Sequence, residues 1–168
     1  MEMTFAPVVS KQIWVTTLVA SAVLLGVAIL LLILAYKCRT RVPINYVLLV
    51  NGIIPLLLLV GSTAFRIRSY EINSSQLVVH LGLGSKNFSL SGLQDVQIVE
   101  RPFAGARREM GIGGLWSMYG LFRSPERGAF SAYAGNTASG VLLIWPDKKI
   151  LVTPENASNF VQSVRAAK

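Results

Sequence analysis

The apolar positions of this chain follow two regimes. From residue 13 to 36, and again from 44 to 65, they are nearly continuous, with no acidic or basic side chain between Lys11 and Lys37 or between Arg41 and Arg66. At 1.5 Å rise per residue these runs make helices of roughly 36 and 33 Å, enough to cross a hydrocarbon core of about 30 Å. They predict a transmembrane hairpin, turned at the basic stretch Lys37-Cys38-Arg39-Thr40-Arg41. The competing reading is a pair of buried helices, but the 103 residues from Arg66 onward are too few to wrap both. The first run exceeds the apolar core of a cleaved signal and has a nearly uncharged lead, so it reads as a retained helix.

After Arg68 the pattern shortens to β-like runs separated by turn residues. Tyr70-Glu71-Ile72, Gln76-Leu77-Val78-Val79-His80-Leu81, Asn87-Phe88-Ser89-Leu90 and Val96-Gln97-Ile98-Val99 come at spacings of about ten residues. Ala129-Phe130-Ser131-Ala132-Tyr133, Val141-Leu142-Leu143-Ile144-Trp145 and Ile150-Leu151-Val152 continue the series. The continuous apolar run at 141–145 predicts a central strand. Together they predict an antiparallel all-β barrel or sandwich. Residues 100–125 interrupt it. Five glycines, four arginines and the aromatics Phe103, Trp116, Tyr119 and Phe122 share this stretch, which reads as a long loop. The chain closes with an amphipathic helix: Thr153 or Asn156 can cap it, Pro154 suits its first position, and Phe160, Val161 and Val164 form one stripe.

Small and polar residues within the apolar runs suggest a packing face at Gly26, Asn51 and Pro55. Asn51 is costly against lipid and is expected to face the first helix or a partner subunit. Neither run holds an acidic residue, which argues against an ion pathway.

Charge adds a partner class. The net charge is +8, and from Arg66 onward twelve Lys/Arg face seven Asp/Glu. A basic domain beside a membrane suits anionic headgroups. Nucleic acid is not expected, because the charges are scattered and no nucleic-acid motif is present. The 100–125 stretch is the binding candidate. Arg101, Arg107, Arg108 and Arg123 supply forked donors for phosphate or carboxylate, and Trp116 and Phe122 supply apolar contact. The competing reading has the aromatics simply closing one end of the β-domain.

Little else carries chemistry. Cys38, the single cysteine, excludes an internal disulfide and a cysteine-based zinc site. His80, the only histidine, lies in a valine-rich strand without the arrangement that nucleophilic catalysis needs. Gly82-Leu83-Gly84-Ser85-Lys86 lacks the spacing of a phosphate loop. No enzyme, metal site or cofactor is expected.

The region from Tyr70 onward resembles the bacterial pleckstrin-homology-like domains of small membrane proteins. The residues that carry this are Tyr70-Glu71-Ile72 before a Val-rich strand, and Leu90-Ser91-Gly92-Leu93-Gln94-Asp95-Val96. Gly120-Leu121-Phe122-Arg123 follows, then Val141-Leu142-Leu143-Ile144, then Leu151-Val152-Thr153-Pro154-Glu155 with its closing helix. The resemblance implies a barrel of about seven strands plugged by the C-terminal helix, and no shared catalytic residues. Eukaryotic relatives bind phosphoinositides through basic residues between the first two strands. Here that turn, Asn73-Ser74-Ser75, is uncharged, and the function does not transfer.

The expected organisation is a tail (1–12), a hairpin (13–65) and a PH-like domain (66–168) in a bacterial plasma membrane. The domain would act as a non-catalytic module for a partner protein or anionic lipid; the alternative is a subunit assembled through the hairpin, as a homo-oligomer or with another membrane protein. Three basic residues flank each side of the hairpin, Lys37, Arg39 and Arg41 against Lys11, Arg66 and Arg68, so charge does not orient it. The resemblance favours the cytoplasm.

Overall fold

In the computed structural model, which describes residues 3–167, both apolar runs are helical: α1 spans Lys11–Lys37 and α2 spans Ile44–Ser62, followed by a short 3-10 turn, Thr63–Phe65. Ser10 caps α1, its Oγ accepting the Ile13 N–H at 3.3 Å and so satisfying one orphan amide of the first turn. The helices pack against each other. Their closest approach is at Gly52, where an added Cβ would come within 3.1 Å of the Leu32 side chain, and Pro55 is also buried. Both helices are long and apolar enough to cross a membrane, yet only 11% and 17% of their apolar windows are buried within the protein. Core helices would be mostly covered; these present Trp14, Leu18, Ile29, Leu57 and Leu58 outward.

Ten strands form among the described residues: β1 (Met3–Phe5), β2 (Ile67–Asn73), β3 (Gln76–Leu81), β4 (Ser85–Ser89), β5 (Asp95–Glu100), β6 (Arg107–Gly113), β7 (Met118–Ser124), β8 (Gly128–Ala134), β9 (Ser139–Ile144) and β10 (Lys149–Val152). Helix α3 (Ala157–Ala166) closes the chain, capped by Asn156 Oδ1. The strands make two sheets, ordered β1-β2-β3-β4 and β5-β9-β10-β8-β7-β6. This corrects the expected antiparallel barrel of about seven strands: the sheets are two, and β8 and β10 run parallel. No described ladder joins the sheets, because β4 pairs with β3 alone and β5 with β9 alone. They are held face to face by side chains instead. One cluster takes Tyr70, Leu77 and Val79 from the first sheet, Val141, Leu143, Ile150 and Val152 from the second, and Phe160, Val161 and Val164 from α3. Leu142 and Leu151 point to the opposite face and pack with Phe122 and Phe130. Burial on both faces is the reason the 141–145 run shows no polar alternation.

The first residues are not a free tail. Met3, Thr4 and Phe5 pair with Ile72, Glu71 and Tyr70, so the hairpin is an insertion between two neighbouring antiparallel strands of one sheet. Ala6–Ser10 then run along the domain in the order 6–10: Ala6 O accepts Glu155 N–H, Val8 N–H donates to Thr153 O, and Ser10 N–H donates to Gly135 O.

The glycine-rich stretch is a second correction. Instead of one long loop it is a hairpin, β6–β7, with a bulge between Arg108 and Met110. Gly111 and Gly120 face each other across it at φ +109° and +127°, and a Cβ on either would overlap the carbonyl of the opposite strand. These glycines permit close backbone contact, where the sequence suggested loop flexibility.

Candidate functional site at the hairpin junction and the β6 edge

The turn of the β6–β7 hairpin, residues 114–117, reaches back to the apolar helices. Thr17 Oγ1, buried in α1, donates to Ile13 O at 2.8 Å or Gly114 O at 3.2 Å and accepts the Trp116 N–H at 2.9 Å. The Trp116 indole N–H donates to Ser62 Oγ at the end of α2, 3.0 Å away. Ser117 Oγ donates to Phe65 O at 2.8 Å. One short turn therefore grips both helices. Trp116 holds φ +62°, one of two non-glycine residues in the left-handed region among those described; the other is Arg101. Arg66 lies over the Trp116 ring, 5.6 Å from its centroid.

A second turn meets the same place. Between β3 and β4, Gly82 lies so close to Thr63 O that a Cβ would overlap it, and Leu83 N–H donates to Ala64 O at 3.0 Å. The Leu83 side chain is 78% exposed beside the end of α2.

The leading end of the hairpin is held by Thr153, in the stretch Leu151-Val152-Thr153-Pro154-Glu155. Its carbonyl takes Val8, its Oγ1 accepts Gly135 N–H at 2.9 Å, and its N–H donates to Tyr70 Oη at 3.2 Å. Tyr70 in turn donates to Tyr133 O at 2.7 Å. Burial pushes the Tyr70 phenol up to about 12, against hydrogen bonds from Thr153 that pull it down.

The predicted contact residues separate. Phe122 is only 2% exposed and packs between Phe103 and Phe130, so it is a core residue and cannot touch a partner. Trp116 serves the junction. Arg101, Arg107, Arg108 and Arg123 are exposed. Arg107 and Arg123 pair across the hairpin at the end opposite the 114–117 turn. Arg123 Nε donates to Glu109 Oε1, which holds the Glu109 carboxyl below its usual range. Strand β6 is one edge of its sheet, and β5 is the other. Every residue from Arg107 to Gly111 is exposed, Met110 at 74%.

In the helices, Pro55 is buried at the interface, while the Cβ position of Gly26 faces open space. Asn51 is exposed and donates to Val47 O of its own helix at 2.8 Å. The neighbouring Gly52 makes the close approach that the spacing suggested for Gly26. His80 Nε2 lies 2.7 Å from Glu71 Oε2, a cross-strand pair on β2 and β3. Among the described residues, no three metal-ligating side chains gather.

Compared with known proteins, residues 68–167 match the family model described as the bacterial PH domain. No curated protein and no solved structure matches the chain. The matched segment starts at β2; β1 and both helices lie outside it.

Proposed function

Because this chain belongs to the bacterial PH domain family, we propose that it is a non-catalytic interaction module, held at a bacterial plasma membrane by its two-helix hairpin and offering strand β6 to a partner protein. The observation that carries this reading is the β6 edge. It is unpaired on one side, exposed, basic at Arg107 and Arg108, and apolar at Met110. An open edge lends its backbone donors and acceptors to an added strand, and flanking charge selects the partner. Acidic extended segments fit it best. Arg107 lies at the hairpin end away from the 114–117 turn, while the Arg108 guanidinium reaches back beside Gly113. The junction sets the distance: with the domain gripped at Trp116, Gly82 and Thr153, a weak edge works at high local concentration.

The test is photo-crosslinking in native membranes with the probe at Met110. A discrete protein adduct is expected, lost in Arg107→Glu/Arg108→Glu and not formed from a probe at Gln97. An equal adduct from Gln97, or none from Met110, would overturn the reading.

Asn51 supports a second reading. An exposed amide in an apolar span suits a partner helix, such as a second hairpin. If hairpins associate, Asn51→Leu lowers the dimer fraction seen on crosslinking in membranes.

A further inference from the structure

Two adjoining spaces open where the hairpin meets the domain. One, of about 410 Å³, is an apolar groove along α1 lined by Ile13, Trp14, Leu18, Leu25 and Trp116, with Arg66 at its mouth. The other, of about 570 Å³, is bounded by Thr63, Arg66, Arg68 and Gly82. Val9 and Arg66 line both. We propose that together they hold one anionic phospholipid, with an acyl chain in the groove and its phosphate against Arg66 and Arg68.

The two halves match the two halves of such a molecule. The groove follows α1 from Ile13 to Leu25, about 18 Å along the axis, and so runs from the helix end into hydrocarbon depth. Each volume lies within the roughly 300–1,000 Å³ of small-molecule sites. The second space begins where α2 ends, at the level of headgroups. Among the described residues lining either space none is acidic, and two are arginines. Arg66 is held over the Trp116 ring, and that ring is fixed by Ser62, so the guanidinium stays at the boundary between the spaces. The site does not use the β2–β3 turn, where eukaryotic relatives bind phosphoinositides. Its groove is built mostly from α1, outside the segment shared with the family, with Trp116 contributed from inside that segment. It is also separate from the β6 edge and stands independently of the partner proposed there.

The full chain in phosphatidylcholine nanodiscs tests this, with a small share of acyl-brominated phosphatidylglycerol or, in parallel, brominated phosphatidylcholine. Bromine quenches nearby indoles, and Trp14 and Trp116 line the groove. Quenching by the anionic lipid should set in at roughly ten-fold lower mole fraction, since each arginine at an anionic surface contributes a several-fold preference. Arg66→Gln/Arg68→Gln should abolish that preference, and Arg66→Lys/Arg68→Lys should retain much of it. Ser21→Phe, which fills the groove and leaves both arginines in place, should weaken quenching by either lipid. Equal quenching by the two lipids in the wild-type chain would overturn the proposal. So would a preference that survives the double glutamine change, or the absence of quenching by either lipid, as when a second copy's helix fills the groove. The Met110 adduct, measured on the same variants, reports separately on the β6 edge.

Discussion

The indole N–H of Trp116 and the Oγ of Ser62 lie 3.0 Å apart, joining a turn of the β-domain to the last residue of α2. The same Ser62 hydroxyl donates to Leu59 O at 2.7 Å, so the contact continues the hydrogen bonding of the helix end. Trp116 also supplies ring surface to Arg66 and a backbone donor to Thr17. Loss of the hydrogen bond alone, in Ser62→Ala, is expected to cost about 1 kcal/mol. Trp116→Ala also removes the ring and should cost about 3 kcal/mol. Amide exchange over residues 63–68 is the measurement, with faster exchange expected in both variants and more in Trp116→Ala.

The crossed glycines give a contrast between positions. Gly120→Ala places a Cβ against the opposite strand at a positive φ, and should destabilise the domain by at least about 2 kcal/mol. Gly26→Ala meets nothing within 4 Å in a helix interior. It should be neutral or stabilising by up to about 1 kcal/mol. Thermal midpoints of the full chain in detergent compare them.

Tyr70 sets an alkaline limit. Its phenol, raised from an ordinary value of 10.0 to about 12, is neutral when folded at pH values where the unfolded chain already ionises it. Its contribution is complete below pH 10 and falls as pH rises towards about 12, by on the order of 2–3 kcal/mol. Tyr70→Phe should lower stability at neutral pH and flatten the decline above pH 10. Phenolate absorbance should show Tyr70 titrating late, with Tyr133 also raised by its partial burial, and Tyr70→Phe should remove the latest phase.

If the hairpin spans the bilayer, the chain should resist alkaline extraction from membranes. Ile54→Arg, at an outward position in the middle of α2, should shift it toward the soluble fraction, since a central arginine costs about 2.5–3.5 kcal/mol on insertion. Because β1 and β2 are paired, topology reporters at the two ends should read the same side.

The legible parts of this fold had local causes. A long run without charge marks each apolar helix by itself, and runs such as 76–81 and 141–145 identify strands from their own side chains. The remainder depends on distant partners. Three residues, Met3–Phe5, are too few for a pattern, and their strand exists only because Tyr70–Ile72 lies beside them. Strands β6 and β7 were hidden by glycines whose role appears only when Gly111 and Gly120 are seen across from each other. The site divided for the same reason. Arginine identity suffices to place Arg107 and Arg108 on the surface, but Phe122 and Trp116 look alike in sequence. One is claimed by Phe103 and Phe130, the other by Ser62 and Thr17. A tryptophan followed by serine in a glycine-rich turn was the only signal of the junction, and nothing local linked it to residues of the helices.

The insertion of the hairpin between β1 and β2 orders the birth of the molecule. Residues 3–5 emerge before the helices and cannot pair until both helices have been made and β2 has followed them. If the helices enter the bilayer on the way, only a chain that has crossed and returned brings its first strand back beside its second. A chain threaded once would leave β1 across the membrane, with the edge of β2 bare and the Thr153 turn without Val8. If the hairpin spans the bilayer, completion of the sheet therefore requires that the chain has crossed and returned.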